Sequence, residues 1–255
     1  MTVTTDRHGH VAVVTFSRPP SNFADLALIQ DIGAAFDAAD ADSDVRAIVL
    51  QSDGRVFCAG ADLVNANPVA EGKREGERNP FYVAAAKLFG VKKPVVAAVQ
   101  GAAVGAGLGL ALVADFRVAG PEARFVANFV QIGFHPGFGI SAVLERVIGR
   151  QRALLMNLTG RRIRADQAFD WGLADVLASA DGLRHAALEL AQEIAAGAPL
   201  AVQSTRATMR GDLLALVERQ TDHELGEQGW LQKTADFAEG VRAVAERRPG
   251  NFRGE

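Results

Sequence analysis

Residues 101–115 read GAAVGAGLGLALVAD, with glycines at 101, 105, 107 and 109 following the apolar run VVAAV at 95–99. A strand, a glycine-rich turn and a helix start together expose backbone N–H groups that can hold an anion or a developing oxyanion. A dinucleotide fingerprint needs glycines at its first, third and sixth positions. Counted from Gly105, the sixth position is Leu110, so the fingerprint fails. A Walker loop ends in Gly-Lys-Ser/Thr, and no lysine stands between Lys93 and Lys233. An oxyanion hole remains, beside the plainer reading that the glycines let a helix approach a sheet closely.

A second stretch, VRAIVLQSDGRVFCAGADL (45–63), repeats the pattern: a strand, a turn at Asp53-Gly54, and a small-residue run through Ala59, Gly60 and Ala61. Two such junctions can aim two N–H donors at one oxygen, which is what an acyl oxyanion requires. The alternative is two unrelated tight turns.

The elements that must position these turns follow from periodicity. HVAVVTFS (10–17), VRAIVLQS (45–52), VVAAVQ (95–100) and ADFRVA (114–119) read as strands. ALIQDIGAAFDAADAD places Leu28, Ile32, Ala35, Phe36 and Ala39 at helical spacing. Alternating strands and helices predict βαβ crossovers and a largely parallel sheet. The second half predicts helices near 140–148, 151–158, 165–171, 183–196, 199–210, 212–231 and 234–246, with Asp181 and Pro199 as start signals. NPVAEGKREGERNP, around 66–80, reads as a mobile loop.

Composition sets wider bounds. The 255 residues are 49% hydrophobic and 22% charged, with a net charge of −3 and no block of like charges, which argues against nucleic acid or an anionic membrane as partner. The single cysteine, Cys58, excludes an internal disulfide and a cysteine-based metal cluster. The opening MTVTTDRHGHVAVVTF lacks a signal-peptide pattern, so a cytoplasmic location is expected. Val95 to Ala114 runs twenty residues without a charge, but alanine and glycine dominate it, and a buried core segment is expected in place of a membrane span.

With VRAIVLQSDGRVFCAGADL go RPPSNFADLALIQDI (18–32), KKPVVAAVQGAAVGAGLGLALVADFRVA (92–119), FVANFVQIGFHPGFG (125–139), LTGRRIRADQAFDWGLADVL (158–177) and the ending TADFAEGVRAVAERRPGNFRG. In this order, over nearly the whole length, the chain resembles the crotonase superfamily, the enoyl-CoA hydratase/isomerase family. The resemblance implies an α/β fold with a crotonase-type ββα spiral core (1–197) and a C-terminal helical trimerisation region (198–255). It implies a homotrimer or dimer of trimers, acyl-CoA thioesters as ligands in fatty acid metabolism, and no cofactor beyond the coenzyme A of the substrate.

The resemblance also assigns residues. The oxyanion donors fall on the N–H groups of Ala61 and Ala106, and the CoA adenine on the backbone of Ala59, Ala61 and Leu63. An alanine at 106 keeps the N–H. The two glutamates of a hydratase fall on Gly109 and Phe129, and the aspartate of some isomerases and dehalogenases falls on Gly137. None of these can move a proton, so simple hydration is not expected, whereas an isomerase or lyase working through a thioester enolate is. Phe129 is expected to make the pocket drier and narrower. His135, in GFHPGFG, lies on the loop that faces the acyl group in relatives and is the candidate acid or base, beside the reading of a loop histidine bonded to backbone. Tyr82 borders the pocket as packing, Asn128 and Gln131 could orient water or a carbonyl, Asp115 is structural, and Cys58 is a small buried hydrophobe. The alternative function is a non-catalytic acyl-CoA carrier or regulator.

Overall fold

The computed structural model describes residues 2–63 and 78–255. Most of the loop expected at 66–80 lies outside the described residues. Strands β1 (Thr2–His8), β2 (Val11–Ser17), β3 (Ala47–Ser52), β4 (Val95–Val99), β6 (Phe116–Ala119) and β9 (Val176–Leu177) form one sheet in that order. β1 pairs antiparallel with β2, and every other pairing in this sheet is parallel. A smaller sheet holds β5 (Ala102–Val104), β7 (Arg124–Val126) and β8 (Arg162–Arg164).

The helices are α1 (Leu26–Ala41), α2 (Pro80–Leu88), α3 (Ala106–Val113), α4 (Ile140–Ile148), α5 (Arg150–Thr159) and α6 (Ala165–Trp171). They continue as α7 (Leu183–Ala195), α8 (Pro199–Arg210), α9 (Leu213–Leu231) and α10 (Ala235–Ala245). The expected strands and helices are all present within a few residues. The uncharged stretch from Val95 to Ala114 is divided into β4, β5 and α3, and among the described residues no helix is long and apolar enough to cross a membrane.

Both faces of the main sheet are covered, which is why its parallel strands read as continuous apolar runs. Val11, Val13, Ala47, Val49, Val96 and Ala98 face α7, meeting Leu183, Ala187, Ala191 and Ala195. The alternate residues Ala12, Val14, Phe16, Ile48, Leu50, Val95 and Ala97 face the larger core, which contains α1, α2, α3 and the small sheet. Asp115, at the end of α3, accepts from Val95 N at 2.9 Å and pairs with Arg206 at 2.8 Å and Arg210 at 2.7 Å, so it ties β4 to α8. That is the structural role expected of it.

Helix α9 buries Leu213, Val217, Thr221, Glu224, Leu225 and Gln228, a helical stripe with three polar members. The Glu224 carboxylate is fully buried and accepts from Gly139 N at 2.8 Å, Ser141 N at 3.2 Å and Ser141 Oγ at 2.5 Å. It thereby caps the start of α4 and anchors the loop that precedes it. Burial pushes the Glu224 carboxyl up to about 7, against the downward pull of those hydrogen bonds.

Because this folded value exceeds the ordinary one, the native chain holds a proton that the unfolded chain releases between pH 4.5 and about 7. The associated stability, about 3 kcal/mol, is fully present below that window and lost as pH rises through it. Glu224→Gln should therefore remove most of the decline in unfolding free energy over this range, as measured by urea titrations at pH 4.5 and 7.5. An unchanged slope would show that Glu224 titrates normally.

Candidate active site

The two turns singled out in the sequence are joined backbone to backbone. Cys58 N donates to Ala102 O at 3.0 Å and Val104 N donates to Cys58 O at 3.0 Å, a parallel bridge that lays the FCAGADL run along β5. Two glycines turn the chain out of this ladder with left-handed backbones, Gly60 at φ 94° and Gly105 at φ 51°. Gly107 permits the close approach, because a Cβ there would lie 2.8 Å from the Cys58 carbonyl carbon. Ala106 is the first residue of α3, where N–H groups have no partner within the helix. Neither the Ala61 nor the Ala106 N–H donates to an acceptor among the described residues.

Both alanines line a cavity of about 170 Å³, together with Ala59, Leu63, Tyr82, Phe129 and Gly137 from the sequence assignment. The Ala59 N–H is already given to Ser21 O at 3.0 Å, so its carbonyl is the group left for a ligand. The walls are predominantly apolar: Phe23, Phe81, Ile132, Phe134, Phe138, Val241 and Val244 join the list, the last two from α10. Among the described residues, the polar side chains in the lining are Asp62, Asn128, Tyr82 and Gln228. Asp62 is engaged in an interaction of its own.

The three positions at which relatives are expected to carry carboxylates are filled by this chain itself. Gly109 does not line the cavity. The Phe138 ring lies over it, and a Cβ on residue 109 would sit 2.6 Å from Phe138 Cγ. Phe138 holds this place with a left-handed backbone, φ 63°, between two glycines. Phe129 itself is buried in the wall, 8% exposed. At Gly137 a Cβ would meet the Tyr82 hydroxyl and lie 2.8 Å from Gln228 Nε2.

His135 is placed differently from expectation. It lies outside this cavity, in a separate surface groove with Leu154, Leu158 and Trp230. Its Nδ1 is 2.8 Å from Pro136 O and its ring stands edge-on to His223 at 5.9 Å. Pro136 lines the same groove, and His135 is the backbone-bonded loop histidine of the plainer reading. Gln131 also points away, donating to Thr159 O at 2.9 Å. Cys58 is fully buried, and burial pushes its thiol up to about 12, in keeping with a packing role.

Among the cavity residues that the sequence reading did not single out are Asp62, Phe138, Gln228 and the α10 valines Val241 and Val244. The signal for Gln228 was present, since it occupies the buried stripe of α9 where an apolar residue is expected.

The Phe138–Gly109 contact gives a direct test. Gly109→Ala, which helix propensity alone would favour by about 0.5–1 kcal/mol, should destabilise by about 1–3 kcal/mol through overpacking. In a Phe138→Gly background the same change should cost nothing in a denaturant titration. Equal costs in both backgrounds would mean that the ring does not occupy this space.

The sequence profile described as enoyl-CoA hydratase/isomerase matches residues 6–255. A Mycobacterium tuberculosis protein named "probable enoyl-CoA hydratase EchA14" is 38% identical over 245 residues, covering 93% of this chain and 95% of that relative. The crystal structure of an enoyl-CoA hydratase/isomerase from Pseudoalteromonas atlantica superposes with a TM-score of 0.87 at 26% identity, covering 99% of this chain and all of that one. That of an enoyl-CoA hydratase from Mycobacterium avium subsp. paratuberculosis gives 0.85 at 28%, covering 98% of each. With its two turns bridged beside one cavity and this match along its length, the chain belongs to the enoyl-CoA hydratase/isomerase family.

Proposed function

We propose that the protein is an enzyme that binds an acyl-CoA thioester with its carbonyl oxygen between the N–H groups of Ala61 and Ala106 and stabilises the thioester enolate there. The observation that carries this reading is the pair of N–H groups, without acceptors among the described residues, at the wall of an apolar cavity. Charge developing on an oxygen in such a dry site gains more from fixed donors than it would in water, about 3–4 kcal/mol for a donor of this kind. Gly109, Phe129 and Gly137 leave the three usual carboxylate positions empty, and neighbouring side chains occupy the space. Simple enoyl-CoA hydration is therefore not its main reaction. Isomerisation, decarboxylation or carbon–carbon cleavage suit the site better, because there the substrate supplies part of the proton or electron movement.

No cofactor beyond the substrate's coenzyme A is called for. Assembly as a homotrimer or dimer of trimers through residues 198–255, and a cytoplasmic location, complete the reading. Exposed Leu200 and Met209 on α8 and Trp230 on α9 are the kind of surface a subunit contact would cover.

A second reading, a non-catalytic acyl-CoA carrier or regulator, is favoured by one observation: the candidate base His135 lies outside the cavity. Incubation with a panel of acyl-CoAs and mass spectrometry of bound and altered species separates the two. The enzyme reading expects one thioester to be converted, and the carrier reading expects binding with no conversion. Crotonyl-CoA hydration should fall far below that of a glutamate-bearing relative, and a comparable rate would overturn the reaction proposed here. Proline fits the first turn of a helix, so Ala106→Pro deletes one donor at the position that best tolerates it. Turnover of the converted thioester should drop about 100- to 1000-fold.

A further inference from the structure

The cavity lined by Ala61 and Ala106 is also lined by a hydrogen-bonding pair, Tyr82 and Gln228, whose polarity is fixed by a chain of buried contacts. Gln228 is fully buried, and its amide nitrogen donates to His135 O at 2.9 Å and Pro136 O at 3.3 Å. Carbonyl oxygens only accept, so these two contacts settle which end of the amide is nitrogen. Its oxygen therefore faces Tyr82, whose hydroxyl must donate to it, at 2.6 Å. With its one proton committed, the Tyr82 oxygen can only accept from anything else.

This oxygen is held firmly. Asn79 Oδ1 accepts from Phe81 N at 2.9 Å and Tyr82 N at 3.3 Å, fixing the first turn of α2. The ring is 5% exposed, and the space for its hydroxyl exists because residue 137 has no side chain. Burial and the neighbouring Glu224 raise the phenol far above its ordinary value, so it stays protonated and is no base. Tyr82, Gln228 and Gly137 all line the same cavity as Ala61 and Ala106.

We propose that Tyr82 is a specificity-determining residue that accepts a hydrogen bond from a hydroxyl on the acyl chain, so that the cavity selects hydroxyacyl thioesters over unsubstituted ones. The proposal rests on the acyl-thioester reading of this cavity. A ligand that places a carbonyl on the two backbone donors and a hydroxyl on the Tyr82 oxygen satisfies both ends. A plain acyl chain leaves the buried acceptor unpaired, and sites built to bond a hydroxyl discriminate strongly against analogues without one.

The test is calorimetric titration of the full-length protein with butanoyl-CoA, 3-hydroxybutanoyl-CoA and 4-hydroxybutanoyl-CoA. At least one hydroxylated thioester should bind about tenfold or more tightly than butanoyl-CoA. Tyr82→Phe, which keeps the ring and removes only the oxygen, should bring that ratio to within about twofold, the span of a lost neutral hydrogen bond's weaker end. Should that variant fail to fold, titration of the unaltered protein with 3-methoxybutanoyl-CoA and 4-methoxybutanoyl-CoA, which keep the oxygen but cannot donate, should show the preference lost. Absence of any hydroxyl preference, or a preference that survives Tyr82→Phe or is shared by the methoxy ligands, overturns the proposal. If no thioester binds at all, the acyl-CoA reading itself falls; if butanoyl-CoA binds as well as its hydroxylated forms, only the role of Tyr82 falls.

Discussion

The structure depends on one close backbone approach: the Cys58 ladder to β5, with Gly107 against the Cys58 carbonyl. That contact uses the Cys58 N–H and carbonyl, the Ala102 carbonyl and the Val104 N–H, while the N–H groups of Ala61 and Ala106, at the cavity wall, have no acceptor among the described residues. Any side chain at 107 would push α3 away from the FCAGADL run and separate the two donors. The left-handed turns at Gly60 and Gly105 then release the chain from the ladder just before each donor. Fixed donors of this kind cost no reorganisation when charge develops, which is the physical basis of oxyanion stabilisation. The large sheet, α7 on one face and the aliphatic core on the other, serves as the rigid base from which β5 and α3 spring.

Around those N–H groups aromatic rings form much of the wall. Phe138 packs over Gly109, Phe129 is buried in the wall and the Tyr82 hydroxyl sits against Gly137, each glycine making room for its ring. A carboxylate placed at position 109 would have to displace the buried Phe138 ring. The polar groups that remain are organised by α9. Glu224 fixes the loop from outside through Gly139 and Ser141, while Gln228, one turn further on, fixes Tyr82 and the carbonyls of residues 135 and 136. Two polar residues on a buried stripe thus hold the loop around residues 135–141 and fix the polarity of the Tyr82 hydroxyl in the cavity wall.

Much of this was legible in the sequence. The β-branched runs and helical spacings located most elements, and the two small-residue turns located the donors, because tight turns need residue types that few other structures require. Strands β5, β7 and β8 were not legible: three-residue strands carry no periodicity, and GAAVGAG reads equally well as one loop. The catalytic reading of His135 could not be separated from the loop-histidine one in the sequence, because sequence gives a loop's position but not which way each side chain faces; its ring lies in the groove outside the cavity. Phe138 escaped notice because its role lies in filling space left by Gly109, 29 positions earlier in the chain. Such complementarity between distant residues is a property of packing and leaves no local pattern.

The central claim is that Ala61 and Ala106 polarise a thioester carbonyl. Infrared difference spectroscopy of butanoyl-CoA carrying carbon-13 at the thioester carbonyl reads that interaction without requiring turnover. Two backbone donors on the oxygen weaken the C=O bond, so its stretching band should move to lower frequency on binding, and Ala106→Pro should reverse part of that move. A bound thioester whose carbonyl band stays at its solution position, or shifts equally in Ala106→Pro, would contradict the account.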